Sequence, residues 1–117
     1  MAKHRLLRGV ALLGQVVASR VTIGGGDPIK KVVTGTTALN PGSINSVTRG
    51  TVTFTLTGAA AGDLIHMQPP SALDDDLIFV GAEVTSANTV TVYLYNPTGG
   101  AIDDASRTWR YIWVDLT

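Results

Sequence analysis

The chain has 117 residues, 44% of them hydrophobic and only 15% charged, with nine cations balanced by nine acids. That length fits one domain with an appendage, and the lack of cysteine excludes disulfides and thiolate metal sites. His4 and His66 stand too far apart for a histidine-rich metal cluster, and no run reaches the roughly 20 apolar residues of a membrane-spanning helix.

The balanced total conceals a division near Pro28. Residues 1–31 carry Lys3, Arg5, Arg8, Arg20, Lys30 and Lys31 against Asp27, a formal +5, and the remainder carries three arginines against eight acids, a formal −5. An arm of one sign on a body of the other can join one copy to the next, or to a larger surface. A small, lightly charged body also gains stability when subunit contacts remove more apolar surface from water.

In the arm, Leu6, Val10, Leu13 and Val17 recur at helical spacing, whereas Val16-Val17 and Val21-Thr22-Ile23 favour extended structure. Both readings stay open. Basic residues before a short apolar run have the layout of a secretion signal, but Gly14-Gln15 interrupts the run. A retained arm packed on another chain is the expectation. Gly24-Gly25-Gly26-Asp27-Pro28 reads as a hinge that divides the arm, residues 1–28, from a β module, residues 29–117. The glycines lack the lysine and hydroxyl residue that a phosphate-cradling loop needs.

Lys30 to Thr34 predicts a short strand ended by Gly35, and Asn40-Pro41-Gly42-Ser43 a turn. In residues 51–57 valine, phenylalanine and leucine alternate with four threonines, the period-two mark of a half-buried strand. Gly58 to Gly62 is a small-residue loop, Asp63 to Met67 a strand, and Pro69-Pro70 its stop. Further strands are expected over 77–85, over 89–95 with Val90, Val92 and Leu94 inward, and over about 108–116, with turns at Ser86-Ala87-Asn88 and Asn96 to Gly100. The expected fold is all-β: a small antiparallel β-sandwich or barrel, jelly-roll-like, with an extended N-terminal arm.

From Gly58 onward the order is a Gly-Ala loop, Gly62-Asp63-Leu64-Ile65, Pro69-Pro70 and Leu73. Glu83-Val84-Thr85-Ser86-Ala87-Asn88-Thr89-Val90-Thr91-Val92 follows, then Asn96-Pro97-Thr98, Ala101-Ile102-Asp103 and Arg107-Thr108-Trp109-Arg110-Tyr111. This run resembles a small all-β module of tailed-bacteriophage virion proteins, found in capsid decoration (cement) proteins and at the ends of tail fibres. The resemblance covers roughly residues 38–114 and rests on order and spacing rather than one diagnostic motif. It implies a virion component, commonly trimeric, with no catalytic residues to carry over. The short arm and a start at its own methionine fit a decoration protein better than the tip of a long shaft.

The expected partners are therefore the major capsid protein and further copies of the chain, as a homotrimer on the outer head surface, with no cofactor, small-molecule substrate or membrane. Leu6, Leu7, Arg8, Val10, Leu12 and Leu13 are expected to carry much of the attachment. The arm's cations could neutralise nucleic-acid phosphates, but they are spread among leucines and valines, which favours burial against protein.

Other candidates have plainer readings. Asp74-Asp75-Asp76 could offer oxygens to a divalent cation, yet three adjacent residues cannot all face one ion, and a solvated loop is expected. Asp103-Asp104 is read the same way, with Asp103 ordering its loop through backbone hydrogen bonds. His66 is expected on the less apolar side of its strand or at a subunit contact, facing away from Asp63 and without a partner for acid–base work. Trp109, Tyr111 and Trp113 form one face of the last strand, read as core or interface ahead of a sugar-stacking platform. An alternative function, a receptor- or glycan-binding module of the tail, would use Tyr93, Tyr95 or Trp109. No nucleophile, base and orienting group can be named together, so an enzyme is not expected.

Overall fold

The computed structural model describes residues 18–117. The strands are β1 (Lys31–Leu39), β2 (Ser43–Ile44), β3 (Thr48–Thr55), β4 (Leu64–Gln68), β5 (Ile78–Ser86), β6 (Thr89–Asn96), β7 (Ile102–Asp103) and β8 (Arg107–Asp115). They form two antiparallel three-stranded sheets, ordered β1-β8-β4 and β3-β6-β5, and a short β2-β7 pair. The all-β antiparallel expectation holds, as an open sandwich rather than a closed barrel.

The two central strands explain the core. Each is flanked on both sides and covered by the opposite sheet, so its inward side chains lose water completely. Val90, Val92 and Leu94 of β6 are fully buried, and Trp109 and Trp113 of β8 retain only 1% and 2% exposure. Phe79 meets Trp109 edge-on at 5.5 Å between ring centroids, and Phe54 meets Tyr111 at 5.6 Å, joining the sheets across the interior. Burying a side chain of this kind is worth about 2 kcal/mol or more, so these two strands dominate the cohesion of the fold.

The turns follow their chemistry. Asn88 takes a positive φ of 61° between β5 and β6, which asparagine tolerates better than most residues. Its Oδ1 accepts the Gly58 N–H at 2.8 Å, and its own N–H donates to the Ala59 carbonyl at 2.8 Å. The β5–β6 turn is thereby pinned to the loop before β4.

One expectation needs correction, and two features were not foreseen. Gly35 does not end β1; the strand continues to Leu39, and the Tyr111 side chain lies where a Cβ on Gly35 would be, 2.5 Å from its hydroxyl. Glycine is there for a close approach, not for a turn. The β2 and β7 strands were not foreseen, because two residues are too few to show alternation. The glycine segment at 24–28 lies in a hairpin turn, which was also not foreseen. Val21 and Ile29 exchange both backbone hydrogen bonds, at 2.8 and 2.7 Å, and Gly24 and Gly25 supply the positive φ of the turn. The Lys30 N–H then donates to the Asp115 carbonyl at 2.8 Å, fixing the chain to the end of β8. The helix-or-strand question for residues 5–17 lies outside the described residues.

Candidate assembly surface

Strand register sets what the outside of the β1-β8-β4 sheet displays. Residues directly opposite in an antiparallel pair share a face, and the pairings align three rows. Val32, Val114 and Leu64 form the first, Thr34, Ile112 and His66 the second, and Thr36, Arg110 and Gln68 the third. Val32 is 54% exposed, Leu64 57% and Ile112 37%. The face is apolar at the end where β1 begins and polar at the other. A shallow depression of about 240 Å³ lies on it, bordered by Thr34, His66, Gln68, Arg110 and Ile112. Side-by-side apolar residues on an open sheet face differ from the single exposed leucine that any protein tolerates.

The outer face of β3-β6-β5 is different. Its rows are Thr55, Thr89 and Ser86; Thr53, Thr91 and Glu83; Thr51, Tyr93 and Gly81; and Arg49, Tyr95 and Ile78. Threonine fits the pleat without adding much apolar area. The Tyr93 hydroxyl donates to Glu83 Oε1 at 2.5 Å, the Arg49 guanidinium stands 4.8 Å from the Tyr93 ring centroid, and nothing covers Gly81. The Glu83 carboxylate, through that hydrogen bond, holds the Tyr93 phenol above its ordinary pKa.

The sequence candidates separate on this frame. Trp109 and Trp113 face the chain's own core, the first of the two readings given for them, so neither is an interface aromatic and Trp109 belongs to no sugar platform. Tyr111 is half-buried on the same inner side, packed between both halves of the core. His66 is exposed on the outer face, and Asp63 points inward, so the two stand on opposite sides as expected. Asp74, Asp75 and Asp76 lie in the loop before β5, where Asp74 Oδ1 accepts the Asp76 N–H at 2.9 Å. Asp104, and not Asp103, orders the loop before β8: it is buried and accepts Arg107 Nη2 at 3.0 Å and Nε at 3.3 Å. Leu6, Leu7, Arg8, Val10, Leu12 and Leu13 lie outside the described residues.

Two polar nodes escaped sequence reasoning. Buried Asn96 donates from Nδ2 to the carbonyls of Ile44 and Gly100 at 2.9 and 2.8 Å, and its Oδ1 accepts the Thr98 N–H and hydroxyl at 2.9 and 2.7 Å. It fastens the β6–β7 loop to β2. Buried Asp63 accepts from Ala60, Trp113, Leu116 and Thr117. An aspartate beside a glycine-alanine loop signals only a turn in sequence, and its partners some 50 positions away are invisible there. Neither family models, curated proteins nor solved structures match this chain.

Proposed function

We propose that this chain is a non-enzymatic structural protein of a bacteriophage virion, a capsid decoration or cement protein acting as a homotrimer on the outer head surface. The observation that carries the reading is the outward-facing row of exposed Val32 and Leu64 with half-buried Val114 between them and Ile112 beside it, an apolar surface suited to association. It stands with the basic, leucine-rich arm and with the order of motifs that resembles virion modules. Cement acts mechanically. Contacts that span several capsid subunits must all break before the shell opens, so many modest contacts add to one large resistance. The test is co-sedimentation of the protein with purified phage heads, intact and lacking residues 1–23. Binding by the intact chain that is lost on deletion supports the reading, and binding that survives deletion removes the arm from the mechanism.

A second reading has one observation in its favour. Tyr93 and Tyr95 lie on the outer face of β6 with Arg49, Glu83 and the open Gly81 around them, an aromatic and hydrogen-bonding surface of the kind that a tail module uses on host glycans. Saturable binding to host polysaccharide, reduced by Tyr93→Ala and Tyr95→Ala, would favour it over cement.

A further inference from the structure

A closed threefold ring cannot be built from one self-complementary patch. Each copy must present one surface and receive a different one. Resting on the homotrimer reading, we infer that the apolar end of the β1-β8-β4 face receives residues 4–17 of a neighbouring copy.

Three observations meet at that end of the sheet. The first is the row Val32, Val114 and Leu64, which spans two interstrand spacings, about 10 Å. It is wide enough to take one apolar segment laid across the strands.

The second is where the arm is rooted. The hairpin closed by Val21 and Ile29 turns the chain back on itself. Ile29 lies two residues before β1 begins, so the bridge to Val21 roots the arm at the end of the sheet where the row lies. Seventeen residues precede Ala18, and extended they reach about 55 Å. That is ample to cross onto a neighbour of this size.

The third is chemical fit. Residues 1–17 hold Leu6, Leu7, Val10, Leu12, Leu13, Val16 and Val17 with three cations and no acid. The module they would meet, residues 29–117, is formally acidic, with five cations against eight acids. The apolar residues match the row, and Lys3, Arg5 and Arg8 are opposite in sign to the module's net charge. The arm and the face are thus the two unlike halves that a heterologous interface needs.

The absence of native cysteine makes the test clean. Val10→Cys and His66→Cys are combined in the full-length chain and oxidised, since His66 is exposed and borders the row without belonging to it. The expected product is a covalent three-chain species on non-reducing gels. A control pairing Val10→Cys with Thr53→Cys, on the opposite sheet face, should give none. Cross-links confined within one chain would overturn the placement on a neighbour, and a yield no higher than the control's would overturn the surface itself. Leu64→Asp in the otherwise native chain should lower the solution mass to that of a monomer while preserving the β circular dichroism signal; an unchanged trimer would also overturn the inference. All these measurements use the isolated protein. A trimer without the cross-link therefore refutes the arm's position and leaves head binding to its own sedimentation test.

Discussion

The indole N–H of Trp113 donates to Asp63 Oδ2 at 3.0 Å, joining the C-terminal part of β8 to the residue just before β4. The other carboxylate oxygen takes the Leu116 N–H at 3.1 Å and the Thr117 hydroxyl at 3.0 Å, and Oδ2 also accepts the Ala60 N–H at 3.0 Å. One side chain therefore ties a loop, a core aromatic and the end of the chain.

Asp63→Ala should cost about 3 kcal/mol, because it strands a buried indole N–H and two backbone donors at once. Asp63→Asn should cost less, since its carbonyl oxygen still accepts. Urea denaturation midpoints at neutral pH would order the three proteins native, Asn, Ala. An Ala variant as stable as the native chain would mean that water serves these donors equally well.

Acid should weaken the fold in a defined window. Burial pushes the Asp63 carboxyl up, but the bonds from Ala60, Trp113, Leu116 and Thr117 together hold it below its ordinary value. For Asp104 the largest influence is the hydrogen bond from Arg107, which lowers it against the opposing effect of burial. Both are depressed in the folded state. The stability they contribute is thus fully present above the unfolded aspartate value, about 3.9, and is lost as pH falls through the folded values. Thermal midpoints should hold level down to about pH 4 and then drop. Asp63→Asn combined with Asp104→Asn should flatten that acid drop, starting from a lower midpoint.

Gly35→Ala should destabilise the β1–β8 pair by about 1–3 kcal/mol through overpacking. The added Cβ would stand 2.5 Å from the Tyr111 hydroxyl and 2.7 Å from Cζ, and the Tyr111 ring is held by Phe54. Combined with Tyr111→Leu the penalty should shrink, giving a coupling that a double-mutant cycle reads directly. Additive losses would show that the ring moves aside freely.

Val47 should yield the opposite sign. It is 64% exposed yet takes φ of 52° in the turn between β2 and β3, a left-handed conformation that β-branched side chains resist. Val47→Asn, which keeps a side chain but tolerates that backbone, should raise stability by about 1 kcal/mol. A fall in the denaturation midpoint would mean that the valine methyl groups gain more from their surroundings than the backbone loses.

Much of this fold was legible locally. Alternation in residues 51–57 and 89–95 gave the inward Val52, Phe54, Val90, Val92 and Leu94, and Pro69-Pro70 marked the end of β4, because both signals are contained within a single strand. Gly35 misled for the same reason. Its neighbour Tyr111 is 76 positions away, and a glycine required by a distant ring looks in sequence like one required by a turn.

The sequence by itself determined the strand faces, the proline and asparagine turns, and the opposition of a basic start to an acidic module, since each depends on side chains close together in the chain. Only the tertiary structure decided which strands are neighbours. That choice aligned Val32, Val114 and Leu64 into one outward-facing row, buried Trp109 and Trp113, and brought Asp63 to Leu116 and Thr117. The physical reason is register: pairing distant segments turns unremarkable residues into a common surface or a shared hydrogen-bond node, and nothing in any one segment specifies its partner.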